Sequence, residues 1–195
     1  MIVQLTTMSK SRLPCLFLLL ILVAVQLAPA QAPPAQESGP PQQFVIQVEV
    51  PAPVGEVWHA FASSEGLSTW LFPKATVDLR PGGDWLVHFP GGSSGGGTIV
   101  SFVPEKELVI AAMAPEKFPH VRAERTRAVF EFQPHGSATV VKLTQSGWKS
   151  GEEWTRAYEY LVAGNAQLMA TLHKRFVDGP VDWEKALGDS KAKGN

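Results

Sequence analysis

Cysteine is nearly absent from this sequence of 195 residues, and Cys15 is the single one. A disulfide framework and a cysteine metal site are therefore excluded. An excess of charge of one sign is also missing, because 17 Lys and Arg residues nearly balance 18 Asp and Glu residues. A nucleic-acid-binding protein normally presents a basic face, so the composition argues against a nucleic-acid partner. No G-x-S-x-G, H-E-x-x-H or complete P-loop motif occurs, which removes the commonest signatures of nucleophilic, zinc and phosphate chemistry.

The five histidines are scattered, and no two stand at a spacing typical of metal ligands. Glu56 and His59 form one E-x-x-H, the half-motif of a di-iron bundle. Such a site needs two copies on paired helices, and only one copy is present. We therefore predict no metal and no other cofactor.

A long hydrophobic run occurs only near the N-terminus, where residues 1–32 are typical of a secretory signal peptide. Two basic residues precede an apolar run at 13–25, and small residues provide cleavage sites after Ala30 and Ala32. A helix of this run rises about 20 Å, which is short of the roughly 30 Å hydrocarbon core and favours cleavage over a retained membrane anchor. The sequence thus predicts an exported protein, periplasmic or extracellular, with no stable membrane span after cleavage.

The rest of the chain has the composition of a globular protein, with 45% apolar and 18% charged residues overall. Residues 33–42 are rich in Pro, Gln and Ser and predict a flexible linker. Residues 43–178 form one domain that is long enough to bury a core. Gly179-Pro180 ends its last element, and 179–195 predicts a short helical turn and a disordered tail.

The order of elements predicts an α+β domain. A β-type run at 44–50 is followed by two short helices, the second at 65–71. Five or six strands then lie between residues 75 and 146, with a flexible, glycine-rich connection at 90–97. Because the loops between consecutive strands are short, the strands form an antiparallel meander.

One long amphipathic helix follows the strands. Ser150 and Glu153 match an S-x-x-E capping box at its start. An apolar stripe interrupted by one amide then continues over about 25 residues, at Trp154, Tyr158, Leu161, Asn165, Leu168, Leu172 and Phe176. Laid across one face of the sheet, this helix leaves an apolar space beneath it.

Several short motifs resemble one known superfamily. They are Val50-Pro51-Ala52-Pro53, Val57-Trp58, Trp70, the segment DLRPGG at 78–83, Gly147-Trp148 and Trp154. Over residues 43–176 the chain resembles the START-related (SRPBCC) superfamily, and within it the group named after the C-terminal domain of the Hsp90 ATPase activator. The resemblance implies a helix-grip fold, in which a curved antiparallel sheet of about six to seven strands wraps around the long C-terminal helix. It also implies a hydrophobic ligand cavity, since members include cyclases, aromatases and binders of lipids or hormones.

The cavity implied by this fold gives a set of candidate ligand-binding residues on the helix stripe and the facing strands: Trp70, Trp85, Phe89, Phe130, Phe132, Trp154, Tyr158, Leu161 and Asn165. The alternative for each aromatic residue is a place in the core. Asn165 is distinct because it interrupts an apolar stripe, and a buried amide needs a partner. A ligand, a water or a sheet carbonyl could provide it.

Three functional hypotheses from different classes follow. The first is a protein that binds a small apolar molecule or lipid in the cavity. The second is an enzyme of cyclase, aromatase or dehydratase type using the same cavity, with Tyr158 or His120 as acid–base candidates. The third is a protein-interaction or chaperone-accessory module, which predicts an exposed apolar patch. We favour the first, because no motif assigns a catalytic residue.

Overall fold

Seven antiparallel strands form one sheet in the computed structural model, which describes residues 41–187. The strands are β1 (Gln43–Val50), β2 (Ala75–Val77), β3 (Asp84–His88), β4 (Ser94–Val103), β5 (Glu107–Met113), β6 (Thr126–His135) and β7 (Ala138–Ser146). Their order across the sheet is β1-β7-β6-β5-β4-β3-β2. The six strands β2 to β7 are therefore a meander, and β1 pairs with the last of them, which confirms the predicted α+β class.

The helices α1 (Val54–Ala62), α2 (Ser64–Ser68), α3 (Pro119–Glu124) and α4 (Glu152–Asp178) complete the fold. Ser63 caps α2, because its Oγ accepts a hydrogen bond from the Gly66 N–H at 2.9 Å. This helix ends at Ser68, so it is shorter than the predicted 65–71. None of the helices in this part of the chain is both long and apolar enough to cross a membrane.

The main core lies between the sheet and the helices α1 and α2. Phe61 of α1 is fully buried, and its ring centroid lies 5.0 Å from those of Trp70 and Phe132. The indole of Trp70 donates to the Ala60 carbonyl and that of Trp85 donates to the Phe61 carbonyl, each at 2.9 Å. Each buried indole N–H is thereby satisfied, and both rings are held against the end of α1.

The glycine-rich segment at 90–97 is not the flexible connection that the sequence predicts, because β4 begins at Ser94. A Cβ on Gly96 would lie 2.1 Å from the Trp85 carbonyl oxygen, and a Cβ on Gly97 would lie 2.2 Å from that of Ala111. Neighbouring strands approach too closely here for a side chain. A run of glycines therefore marks a close approach of backbones in this sheet as well as a turn.

The predicted capping box at the start of α4 is wrong. Gly151 occupies the N-cap position, and within residues 41–187 no side chain caps this helix. Glu153 accepts hydrogen bonds from the backbone N–H groups of His120 and Val121, at 2.8 and 3.1 Å. It therefore satisfies the free N–H groups at the start of α3, a helix that the sequence pattern did not indicate.

The chain after α4 folds back onto α2. The backbone N–H of Val181 donates to the Thr69 carbonyl at 2.9 Å, and the indole of Trp183 donates to the Ser68 carbonyl at 2.6 Å. Residues 183–187 form one short helical turn. The predicted signal peptide, nearly all of the predicted linker and the last eight residues lie outside the described residues.

Candidate ligand-binding site

A cavity of about 530 Å³ lies between the middle of α4 and the strands of the sheet. This volume is within the range of about 300 to 1,000 Å³ that is usual for small-molecule sites. The lining residues are Leu71, Trp85, Val87, Phe89, Ser93, Ser94, Gly95, Gly96, Ile110, Ala112, Met113, Pro115, Glu116, Lys117, Ala128, Phe130, Gln145, Tyr160, Leu161, Gly164, Asn165 and Leu168.

Small residues line both the helix side and the sheet side of the cavity. The ends of α4 pack closely, through Trp154 at one end and Leu172 at the other, both of which are buried. Between them, Gly164 lies on the face that lines the cavity, and a Cβ built there meets no atom within 4 Å. The opposite wall contributes Ala112 and Ala128. The helix is thus held against the sheet at both ends and separated from it in the middle.

The floor of the cavity is apolar and well packed. Trp85 and Val87 alternate on β3, so both project to the same face of the sheet. Phe130 on β6 lies with its ring centroid 6.0 Å from that of Trp85. All three side chains, and Ile110 beside them, are at most 5% exposed. This floor favours an apolar ligand surface.

One polar network crosses the cavity wall. The side-chain Nδ2 of Asn165 donates to the Gln145 Oε1 at 3.0 Å and to the Leu161 carbonyl at 2.8 Å. Gln145 in turn donates through Nε2 to the Thr126 Oγ1 at 2.7 Å, and both of these residues are buried. The nitrogen of the mid-helix amide is therefore paired with a sheet side chain rather than with a sheet carbonyl.

Five of the nine predicted site residues line the cavity: Trp85, Phe89, Phe130, Leu161 and Asn165. Their contact with a ligand stays a prediction. The other four, Trp70, Phe132, Trp154 and Tyr158, lie elsewhere.

Two of these four belong to the main core. Phe132 has its ring 5.4 Å from that of Trp58 beneath α1, and Trp70 is fully buried against Phe61. The other two belong to a second cluster, where Tyr158 lies 5.1 Å from Trp148 and Trp154 lies 6.4 Å from the same ring. One stripe cannot face one pocket along its whole length, since a helix rises 1.5 Å per residue and Trp154 is about 16 Å from Asn165 along it.

Residues that the sequence analysis missed include Gln145, Lys117 and Tyr160. Gln145 carried a usable signal, because it continues the buried alternation of Thr139, Val141 and Leu143 on β7. Lys117 and Tyr160 carried none. They meet only in the folded chain, where the Lys117 Nζ lies 3.5 Å from the Tyr160 ring centroid at the mouth of the cavity.

Pro115, Glu116 and Lys117 line the cavity at its mouth, and we call residues 114–124, to which they belong, the mouth segment. Arg122 donates through Nη1 to the Ala114 carbonyl at 2.6 Å and thereby closes this segment on itself. Glu153 holds it to α4, and its Oε2 lies 2.6 Å from the His120 Nδ1.

Desolvation alone would raise the pKa of Glu153. Hydrogen bonds from the His120 side chain and from the backbone of Val121 and His120, together with the charge of His120, outweigh desolvation and lower the pKa below its ordinary value. The contact therefore stabilises the ionised form of the Glu153 carboxylate.

The two acid–base candidates of the sequence analysis do not reach the cavity. Tyr158 packs in the second cluster, and His120 pairs with Glu153 on the outer side of the mouth segment. Among the described residues, no three His, Cys, Asp or Glu side chains are grouped so that they could hold a metal ion.

Solved structures share this architecture at low sequence identity. Protein MLL2253 from Mesorhizobium loti aligns with a TM-score of 0.60 and 19% identity, over 71% of this chain and 99% of that one. The Aha1 dimer from Colwellia psychrerythraea aligns with a TM-score of 0.58 and 16% identity, over 70% and 97%. CalU16 from Micromonospora echinospora aligns with a TM-score of 0.51 and 22% identity, over 73% and 78%. These likenesses establish the fold.

A comparison with curated proteins finds no significant match. The family described as "Activator of Hsp90 ATPase homolog 1-like protein" matches residues 51–176, most of the domain that the structure describes. The resemblance inferred from the sequence motifs is thereby confirmed, and the chain belongs to this family of helix-grip proteins.

Proposed function

We propose that this protein binds a small apolar molecule or lipid in the cavity between α4 and the sheet. The observation that carries the proposal is the cavity itself, about 530 Å³ in volume above a floor of Trp85, Val87, Ile110 and Phe130. A space of this size above buried apolar side chains favours an apolar ligand over water. The hypothesis of an enzyme is less well supported, because Tyr158 and His120 lie away from the cavity.

Gly164 provides a direct test of the proposal. Gly164 lines the cavity and is itself exposed, and a Cβ at this position meets open space, so the ring of Gly164→Phe has room to enter the cavity without disturbing the neighbouring backbone. Gly164→Ala adds one methyl group at the same position and is the matched control. Both substitutions also replace a glycine inside a helix, so neither should weaken α4.

The experiment is native mass spectrometry of the three proteins purified under identical conditions, followed by solvent extraction of bound molecules. We expect a stoichiometric apolar adduct on the wild type and on Gly164→Ala, and none on Gly164→Phe. An adduct retained by Gly164→Phe, or no adduct on any of the three, would count against the cavity as the binding site.

We also propose that the protein acts outside the cytoplasm, on the basis of the signal-peptide pattern at residues 1–32. The same spectra test this point when the chain is expressed with its N-terminus intact. Cleavage predicts a mature chain that begins at Gln31 or Pro33, whereas a mass that includes residues 1–32 would contradict export by cleavage.

A further inference from the structure

Asn165 gives the cavity a defined hydrogen-bonding polarity. We infer that the ligand is an apolar molecule bearing a hydrogen-bond donor, such as a hydroxyl or an N–H group, and that the donor binds the Asn165 Oδ1. The inference rests on the proposed function and adds the chemical class of the ligand to it.

The orientation of the Asn165 amide follows from the chemistry of its partners. The Leu161 carbonyl can only accept a hydrogen bond, so the atom 2.8 Å from it must be the amide nitrogen. The second proton of that nitrogen is directed to the Gln145 Oε1 at 3.0 Å. Both donors of Asn165 are therefore in use.

Gln145 keeps this orientation in place. Its Nε2 donates to the Thr126 Oγ1 at 2.7 Å, and Gln145 is only 3% exposed. If the Asn165 nitrogen turned towards a ligand, the buried Gln145 Oε1 would lose its partner, which is costly in a low-dielectric site. The nitrogen is consequently not free to serve a ligand.

The Oδ1 of Asn165 is the side-chain atom that is left to bind a ligand. No group within residues 41–187 donates to it, and Asn165 lines the cavity. An amide oxygen is an acceptor with two lone pairs, so a ligand hydroxyl or N–H complements it. A ligand ether or carboxylate would place acceptor against acceptor. The nearby apolar floor is suited to the rest of such a molecule.

The mouth of the cavity also carries charged groups. Glu116 and Lys117 both line the cavity, and the Lys117 ammonium lies 3.5 Å from the Tyr160 ring centroid. A carboxylate ligand could bind there instead, with its polar group at the rim. The test must therefore separate a donor held by Asn165 from an anion held by Lys117.

We would measure dissociation constants by isothermal titration calorimetry for 1-naphthol, 1-methoxynaphthalene and 1-naphthoate. The three share one apolar ring system and differ in their polar group. The ratio of the ether's constant to the naphthol's should be about tenfold larger for the wild type than for Asn165→Leu, as one hydrogen bond implies. Comparing ratios between variants removes the intrinsic difference in hydrophobicity between the two ligands.

The ratio stays interpretable even where Asn165→Leu is partly unfolded, because both ligands bind the folded fraction and their apparent constants change by the same factor. One further variant is the matched control. Gln167→Leu changes an exposed residue of the same helix and should leave the ratio unchanged.

The outcomes distinguish the inference from the proposed function. If all three ligands bind, Gly164→Phe abolishes binding and the ratio is the same in Asn165→Leu, the cavity binds ligands but the donor preference is wrong. If naphthoate binds most tightly and Lys117→Met weakens it, the polar group lies at the mouth and the inference is overturned. If none binds, or Gly164→Phe leaves the affinities unchanged, the proposed function fails and the inference with it.

Discussion

Gly96 and Gly164 both line the cavity, yet the missing side chain has a different physical reason at each position. Gly96 has a φ of +110°, and a Cβ there would lie 2.1 Å from the Trp85 carbonyl oxygen. Gly164 lies inside α4, where a Cβ meets nothing within 4 Å. The first glycine is required by the backbone of the sheet. The second lines the cavity, and as a glycine inside a helix it makes α4 less stable than an alanine would.

Alanine at these two positions should therefore change stability in opposite directions. We expect Gly164→Ala to stabilise the protein by about 0.5–1 kcal/mol, because alanine loses less backbone entropy in a helix. Gly96→Ala should destabilise it by about 2 kcal/mol or more, through strain and the collision with Trp85. Urea unfolding followed by circular dichroism measures both changes. Equal effects of the two substitutions would contradict the assignment of different roles.

Asn165 and Gln145 should be energetically coupled. Asn165→Leu leaves the buried Gln145 Oε1 without its donor and should destabilise the protein by about 1–3 kcal/mol. Gln145→Leu should also destabilise, because the Asn165 nitrogen and the Thr126 hydroxyl each lose a partner. The double variant should be less destabilised than the sum of the two single variants. A double-mutant cycle from urea unfolding checks this, and strict additivity would indicate that the two amides act independently.

Alternation along a strand predicts which face of the sheet a side chain lies on, but not whether it lines the cavity. Trp85 and Phe130 line the cavity, whereas Phe132, on the same face of β6 as Phe130, lies in the main core. Contact of these residues with a ligand stays a prediction. Trp154 and Tyr158 shared a helical stripe with Asn165 but lie against other neighbours. The direction of a side chain can be inferred from periodicity, whereas the neighbour that it meets depends on tertiary packing.

At the scale of elements, α3 and the start of α4 illustrate a competition that sequence patterns do not resolve. Ser150 and Glu153 have the spacing of a capping box, but the Glu153 carboxylate bonds to the backbone of His120 and Val121. Those N–H groups are more than 30 residues away in sequence. A local motif predicts only a partner that is near in the chain. It does not identify the start of a distant helix, where two backbone N–H groups and the His120 side chain bind the same carboxylate.

The contact between Glu153 and the mouth segment should depend on pH. The folded state lowers the pKa of Glu153 below its ordinary value of 4.5. The stability that the ionised carboxylate contributes is therefore present above pH 4.5 and is lost as the pH falls through the lower pKa of the folded state. We expect Glu153→Gln to be less stable than the wild type near pH 7, and this difference to shrink below about pH 4.5.

Urea unfolding at a series of pH values between 3 and 7 measures this dependence. Glu152→Gln is the matched control, since the neighbouring carboxylate only faces Arg156 on the exposed surface, at 3.6 Å. Its effect should be small at every pH. A difference between the wild type and Glu153→Gln that stayed constant over the whole range would contradict an ionised contact.

At the scale of the whole molecule, the fold was more accessible from sequence than the cavity. The meander follows from short loops between β-type runs, and α4 follows from its apolar stripe, so both were predicted. A cavity between them was also expected, but its lining was predicted only in part, because it includes small residues far apart in the chain, such as Gly96, Ala128 and Gly164. None of these three residues is recognisable from the sequence as part of a cavity. The structure places them on its walls.

A ligand that occupies this space should stabilise the whole domain, because it binds the folded state and not the unfolded chain. At ten times its dissociation constant, 1-naphthol should add about 1.4 kcal/mol to the free energy of unfolding. This corresponds to a rise in Tm of about 3 to 6 °C for a domain of this size. Differential scanning calorimetry should detect the rise in the wild type and in Gly164→Ala but not in Gly164→Phe. An equal rise in all three proteins would mean that the ligand stabilises them from outside the cavity, because the introduced ring leaves the rest of the surface unchanged.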